Sequence, residues 1–416
     1  MVAASAICLA VSFLYMAYVV VRKNIPLASN YGVYFLFSVL YSVLPLLTYL
    51  GIQPRYWFVH WSLHESKLLI STQVALVAAC SMIFAYVFHT KYRSGSTHVQ
   101  RKSSVTRDGF RYPLFATYIV ACAILLYFGH KYSYTSGRGE LVHSLISNAK
   151  VILASMYIVY LVRYGVDRYL AVMFVGFAAL LLVEQSRWYF ISILVATAMY
   201  LQVTGRINNR RLLLAALPIV ALLSYVGIYR CGVPFEHATL LLSPFYIEAD
   251  YGSYVILQTY DLIYGGHVCF YTFFSDYVVD PIIYLIPRIM FMGFGLCKDT
   301  IGVLPTFISA HEGYLHESYA PQGGFHYIAQ ASSAVPFVGP LIITYAFAWF
   351  TVAVENRKFK TSLHNLSYYL YSAAFMFVFI KTRFDLTVKY YLTLTIPAFL
   401  LFGLIAGLVS RMKASK

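Results

Sequence analysis

Residues 68–88, LLISTQVALVAACSMIFAYVF, run for twenty-one positions without a charged side chain. As an α-helix this stretch is about 32 Å long, enough to cross a bilayer hydrocarbon core of roughly 30 Å. The same pattern recurs on both sides of it. Apolar runs extend from Ala4 to Val21, Tyr31 to Leu50, Tyr112 to Phe128, Asn148 to Val162, Tyr169 to Val183, Trp188 to Val203 and Leu212 to Tyr229. Three more lie at Ala334 to Val354, Leu366 to Ile380 and Tyr390 to Val409. The two runs flanking Asp167 are short, so their helices are expected to begin earlier than the apolar stretches themselves. The expected fold is therefore all-α, a polytopic transmembrane bundle of about eleven spans. Composition agrees: 60% of the residues are hydrophobic, 11% are charged and the mean hydropathy is +0.68, which excludes a soluble globular domain.

Basic residues beside membrane spans are retained on the cytoplasmic side, and here they fall in alternate short loops. Arg22 and Lys23 stand in the first, then Lys91, Arg93, Arg101, Lys102, Arg107 and Arg111, then Arg163 and Arg168. Arg206, Arg210 and Arg211 follow, then Arg357, Lys358 and Lys360, then the tail with Arg411, Lys413 and Lys416. These positions hold 19 of the 31 Lys and Arg residues, which predicts an external N-terminus and a cytoplasmic C-terminus. The net charge of +15 thus reports topology, and nucleic acid is not an expected partner. The first span lacks a basic leader and a clear small-residue cleavage site, so it reads as a retained span.

One loop is long. The chain reads as a single integrated membrane domain, with residues 1–229 as an N-terminal bundle of about eight spans, 230–333 as the external loop and 334–416 as about three further spans. The loop gathers nine of the 16 acids, among them Glu248, Asp250, Asp276 and Asp280. Its aromatic stretch from Tyr264 to Leu296 is broken by His267, Asp276, Asp280, Pro281, Pro287 and Arg288, so it predicts interfacial or re-entrant helices rather than lipid-facing spans. Cys231, Cys269 and Cys297 leave one disulfide in the loop open as an alternative, but no spacing indicates zinc. No Walker loop, Rossmann fingerprint or HExxH is present, and no internal repeat points to an inverted-repeat transporter. The tyrosines fit interfacial belts first, with Tyr246, Tyr251, Tyr254, Tyr260 and Tyr264 also suited to an extended glycan.

Charges on the external side are the informative ones. Arg187 opens a span in Glu184-Gln185-Ser186-Arg187, Arg288 follows Ile286-Pro287, and Arg383 sits in Lys381-Thr382-Arg383-Phe384-Asp385. Arg138 lies in Ser136-Gly137-Arg138-Gly139-Glu140. A guanidinium is permanently charged and presents a planar fork of donors, which suits the oxygens of phosphate or pyrophosphate. The competing reading is that each is a headgroup anchor, or that Glu184 and Asp385 pair with Arg187 and Arg383 structurally. For a group that handles a hydroxyl proton, the loop offers His311, His316 and His326. His326 is preferred, because Gly323-Gly324 before it allows close backbone approach to a ligand.

This arrangement resembles the Wzy-type O-antigen and capsular polysaccharide polymerases of bacterial inner membranes. The resemblance rests on layout and on Gln185-Ser186-Arg187-Trp188, Ile286-Pro287-Arg288, Pro321-Gln322-Gly323-Gly324-Phe325-His326, Val335-Pro336-Phe337-Val338-Gly339-Pro340 and Arg383-Phe384-Asp385. The family's run of Trp-Pro-x-Lys-Pro type after Pro-Arg is replaced here by Met290-Phe291-Met292-Gly293, with Lys298 as the nearest basic residue.

The resemblance implies a metal-independent glycosyltransferase without a cofactor. It would move a growing glycan from undecaprenyl pyrophosphate onto the non-reducing end of a lipid-linked repeat unit at the periplasmic face. Donor and acceptor are both undecaprenyl-pyrophosphate-linked oligosaccharides, and a chain-length regulator protein is a candidate partner. Arg187, Arg288 and Arg383 would stabilise the pyrophosphate and anomeric centre, and His326 would deprotonate or orient the acceptor hydroxyl. Arg138, Arg230, Lys298, Gln322 and Lys381 would bind substrate. A flippase or exporter of lipid-linked oligosaccharide and an O-antigen ligase are the alternatives.

Overall fold

A computed structural model describes residues 1–50, 66–93, 109–131, 140–184, 187–216, 218–219, 255–257, 259–261, 263–265, 275–285, 326–358, 360–381 and 384–414. Every regular element among them is helical. In order they are α1 (Val2–Lys23), α2 (Asn30–Tyr49), α3 (Lys67–Lys91), α4 (Arg111–Lys131), α5 (Glu140–Tyr164), α6 (Arg168–Glu184) and α7 (Arg187–Val203). A π-helical segment (Ser275–Val279) leads into α8 (Asp280–Leu285). Then come α9 (Tyr327–Ala334), α10 (Val338–Arg357), α11 (Ser362–Leu370), a second π-helical segment (Tyr371–Met376), α12 (Phe377–Lys381) and α13 (Phe384–Ala414).

Six described helices are long and apolar enough to cross a membrane: Val2–Lys23, Lys67–Lys91, Arg111–Phe128, Val338–Arg357, Ser362–Ile380 and Thr387–Arg411. α6 and α7 are apolar but shorter. The run from Leu212 is helical through residue 216, and most of its remainder lies outside the described residues. α5 starts at Glu140, ahead of the apolar stretch from Asn148.

These helices have no strong polar face, so they are stable only where lipid or other helices surround them. Their hydroxyls are silenced locally: Ser38 Oγ donates to the Tyr34 carbonyl and Thr351 Oγ1 to Phe347, each one turn back. Ends are capped by short polar side chains. Ser66 Oγ accepts from Leu69 N, Thr361 Oγ1 from His364 N and Asp167 Oδ1 from Leu170 N.

The chain forms two compact units. The first comprises Met1–Ser94, Phe245–Glu355 and Met376–Lys389. In it α1 packs along α3, and Tyr31 of α2 donates its hydroxyl to the Met16 carbonyl of α1 at 3.0 Å. At the start of α2, the buried Asn30 gives both its backbone N–H and its Nδ2 to Oε1 of buried Glu355 on α10, at 3.3 and 2.9 Å. The residues before α10 turn sharply. Phe337 has φ of 62°, a left-handed conformation unusual for a side chain of its size, and its N–H donates to the Tyr260 hydroxyl. That hydroxyl also bonds Ser332 Oγ at 2.9 Å, so the buried Tyr260 acts as a peg for this turn and not as an open sugar platform. Tyr264 is exposed and bonds Thr72 on α3.

The second unit comprises Gly95–Pro244, Asn356–Phe375 and Tyr390–Lys416. Its centre is α5, buried almost continuously from Leu153 to Tyr164 and packed by α4, α6, α7 and α11. At one end Arg111 of α4 pairs with Asp167, and the Tyr160 hydroxyl bridges them, accepting from Arg111 Nε at 3.0 Å and donating to Asp167 Oδ2 at 2.9 Å. Deeper in, Tyr118 donates to the Met173 carbonyl and Ser155 to the Leu394 carbonyl.

Candidate functional site

α9 is eight residues long and buried within the first unit, packed against α12 and capped by His326. Its position is set by a chain of buried hydroxyls. Tyr34 of α2 bonds the Tyr327 hydroxyl at 2.8 Å, and Tyr327 bonds Thr344 Oγ1 of α10 at 3.1 Å. Phe379 of α12 stacks on Tyr327, with centroids 5.2 Å apart. The residues just before α10 thus form a helix inside the unit. Tyr41, whose ring meets the His326 ring edge-on at 4.2 Å, stands about 16 Å along α2, near the middle of that helix.

His326 is 2% exposed and has extended backbone, φ −129° and ψ 137°, as a capping residue requires. Its Nδ1 accepts the Ile328 backbone N–H at 3.1 Å. An accepting Nδ1 carries the lone pair, so the proton of the neutral ring is on Nε2. Burial pushes the imidazole down to about 3, which keeps it neutral at ordinary pH. In this arrangement the one lone pair of the ring is committed to the helix cap. His326 is suited to orient a hydroxyl by donating from Nε2, and ill suited to take its proton. Of the two roles expected for it, orientation is the one the geometry favours.

The histidine lines a small cleft with Tyr34, Phe37, Ser38 and Tyr41 of α2, Val77 of α3, Tyr327 and Ile328 of α9, and Ile380 of α12. The cleft has room for about one water molecule. One turn before Val77 on α3 is Gln73, fully buried, whose Nε2 donates to the Tyr41 carbonyl at 2.9 Å. Its Oε1 is buried without a hydrogen-bond partner among the described residues. An orphaned buried acceptor costs about 1–3 kcal/mol, which makes it a feature that needs an explanation.

One turn beyond His326, Gln330 reaches across to α13, where its Oε1 accepts the Phe384 backbone N–H at 2.8 Å. Phe384 follows Arg383 directly in the chain. The Phe384 ring also meets Tyr277 of the first π-helical segment, with centroids 5.1 Å apart. That segment continues into α8, which ends at Leu285, three residues before Arg288. The first unit therefore brings His326 together with the chain neighbours of Arg383 and, through Tyr277, with the helix that precedes Arg288.

The other expected residues divide as follows. Lys381 closes α12 in the first unit, and Arg187 opens α7 in the second. Arg138, Arg230, Arg288, Lys298, Gln322 and Arg383 lie outside the described residues, as do His311 and His316. Three polar residues with structural prominence were passed over in the sequence. Gln73 and Gln330 carry no charge to attract notice. Lys150 does: it stands in α5 within an apolar run, is 4% exposed, and places its ammonium 5.2 Å from the centre of the Tyr189 ring. Tyr189 in turn packs on Tyr390, whose hydroxyl bonds Ser192 at 3.0 Å. A lysine within an apolar run is a signal the sequence did offer. Among the described residues, no three His, Cys, Asp or Glu side chains converge as metal ligands.

Fold and site define a helical protein with the features of a membrane protein, carrying a buried, histidine-capped helix. Comparison with family models, curated proteins and solved structures finds no match to this chain.

Proposed function

We propose that this chain is a polysaccharide polymerase of a bacterial inner membrane, with about eleven spans, an external N-terminus and a cytoplasmic C-terminus. It transfers a glycan from undecaprenyl pyrophosphate to the non-reducing end of a lipid-linked repeat unit. The observation that carries the reading is the Gln330–Phe384 hydrogen bond. It ties the helix capped by His326 to Phe384, the residue that follows Arg383 in the chain. The run of external arginines and the resemblance in layout support the same reading.

In this reaction the acceptor hydroxyl oxygen attacks the anomeric carbon, and the bond from that carbon to the pyrophosphate oxygen breaks. Negative charge gathers on the leaving group, where Arg288 and Arg383 are assigned. A guanidinium about 4 Å from a unit charge at an effective dielectric near 20 is worth roughly 4 kcal/mol. His326 holds the acceptor oxygen through Nε2–H, and the hydroxyl proton passes to the departing pyrophosphate. Arg138, Arg230, Lys298, Gln322 and Lys381 are assigned to holding the two lipid-linked chains.

The test is conversion of a purified lipid-linked repeat unit to a ladder by the protein in lipid nanodiscs. Wild type is expected to form the ladder, and Arg383→Ala and Arg288→Ala to abolish it while still inserting. Ladders unchanged in both variants would remove those residues from the mechanism. One observation favours a second reading, an exporter of the same lipid-linked glycan: Lys150 is buried inside an apolar helix, as a translocation path would require. Movement of a fluorescent lipid-linked glycan between leaflets without ladder formation would establish the exporter instead.

A further inference from the structure

α4 and α6 begin in the same way, with Arg111-Tyr112 and Arg168-Tyr169, and they pack together within the second unit. Their first turns share one ring. The guanidinium carbons of Arg111 and Arg168 each stand 4.9 Å from the centre of the Tyr169 ring, so the two charges are no further apart than twice that distance. Tyr112 and Phe115 meet the same ring edge-on, with centroids 5.6 and 5.0 Å away. Arg206 brings a third guanidinium to this turn by donating Nη1 to the Val166 carbonyl at 3.0 Å.

Charge here is unbalanced. Among the described residues Asp167 is the one carboxylate at this end of the unit, and both of its oxygens are engaged. Oδ1 accepts the Leu170 N–H, and Oδ2 accepts from Arg111 and from the Tyr160 hydroxyl. Arg168 is exposed, and its Nη2 donates to the Tyr169 hydroxyl at 3.0 Å and not to a carboxylate. A net positive turn of this kind is neutralised by an oxyanion, and the planar donor fork of arginine matches phosphate oxygens.

The surface beyond the arginines decides which phosphate. On α4 Tyr112, Val120 and Ile124 are exposed on one face, and on α6 the exposed Val172 and Val175 continue the line from Arg168. α4 is long and apolar enough to cross a membrane, and α6 is a shorter apolar helix. The cations therefore stand where the apolar faces begin, which is the level of a lipid's phosphate when its acyl chains lie along the helices. A soluble phosphate would make no use of those faces.

We propose that the Tyr169 turn binds the headgroup phosphate of an anionic phospholipid, with Arg168 as its principal donor and an acyl chain along the exposed faces of α4 and α6. Arg111 and Arg206 supply supporting charge. In the orientation of the proposed polymerase this lipid belongs to the cytoplasmic leaflet, on the side away from the assigned chemistry. The site needs only a bilayer around α4 and α6, so it stands or falls apart from the transferase activity.

Native mass spectrometry of the full chain in detergent, with phosphatidylglycerol or phosphatidylcholine added, reads the bound lipid, and melting temperatures are taken on the same samples. Wild type is expected to hold one phosphatidylglycerol about 10-fold more tightly than phosphatidylcholine and to melt higher with it. Arg168→Gln is expected to bring that preference below about 3-fold, and Arg168→Lys to restore only part of it, because an ammonium keeps the charge and loses the fork. Arg210→Gln, at an exposed arginine further along the chain, is expected to leave the preference as in wild type. No preference in wild type, equal loss in Arg168→Gln and Arg210→Gln, or full preference in Arg168→Lys would overturn the site in favour of general attraction to a basic surface. Displacement of the lipid by millimolar inorganic phosphate would overturn the lipid as the ligand. Because Arg168 is exposed, Arg168→Gln is expected to melt as wild type does without added lipid, and a fall there would make the arginine a packing residue and overturn its role as donor.

Discussion

Gln330 and Phe384, 54 residues apart in sequence, are joined by a 2.8 Å hydrogen bond from the Phe384 backbone N–H to the Gln330 side-chain oxygen. Phe384 is the first residue of α13, where backbone N–H groups have no partner within the helix. The glutamine supplies one from α9.

Gln330→Leu is expected to leave that N–H unpartnered and to cost about 1–3 kcal/mol of stability. Ladder formation is expected to fall further than the melting temperature implies, because Phe384, next to Arg383 in the chain, loses its tether. Gln330→Glu retains an acceptor and is expected to restore most of the ladder. Equal loss in both variants would contradict the tethering role.

His326 has two separable duties. His326→Ala removes the cap of α9 and is expected to cost about 0.5–2 kcal/mol, whereas His326→Asn is expected to retain most of that stability. Chemical denaturation of the two variants in detergent distinguishes them.

The depressed imidazole gives a pH signature. Folding disfavours the protonated ring, so the stability this group contributes is present above about 6.5 and is lost as pH falls from there toward 3. Between those limits the melting temperature of wild type is expected to decline more steeply than that of His326→Asn. The rate profile is expected to show no inflection near 6.5 from this residue.

Gly339 admits no side chain. A Cβ built there would stand 2.2 Å from the Ala331 carbonyl oxygen, a backbone atom that cannot move aside. Gly339→Ala is expected to destabilise the junction of α9 and α10 by about 1–3 kcal/mol, measured as a lower melting temperature.

Lys150→Met tests the buried ammonium in the second unit. Replacement of a buried charge by a well-packed apolar group of similar volume is often neutral or stabilising. A melting temperature that holds or rises while ladder formation or glycan movement falls would mark Lys150 as functional. Loss of both together would mark it as structural.

The helices were legible in the sequence because a membrane core demands long uncharged runs, and residues 68–88 or 2–21 leave few other solutions. Helix starts were less legible. α5 begins at Glu140 because a polar first turn can belong to a helix that only later becomes apolar. Around the site, His326 stood out through its glycine neighbours, but its duty as a cap is decided by the Ile328 N–H, a local geometry that hydropathy does not register. Gln73 and Gln330 were invisible for a related reason. An uncharged amide in an apolar run looks like a lapse in the pattern until its partners, the Tyr41 carbonyl and the Phe384 N–H, are seen in space.

The clasp between Asn30 and Glu355 spans 325 residues. During synthesis, α1, α2 and α3 therefore leave the ribosome long before α9 and α10 exist to complete their unit. At roughly 5–20 residues per second, the interval from residue 94 to residue 327 lasts roughly 10–50 s. Throughout that time Asn30 and Tyr34 lack their partners Glu355 and Tyr327, so the first helices wait for the packing that completes their unit.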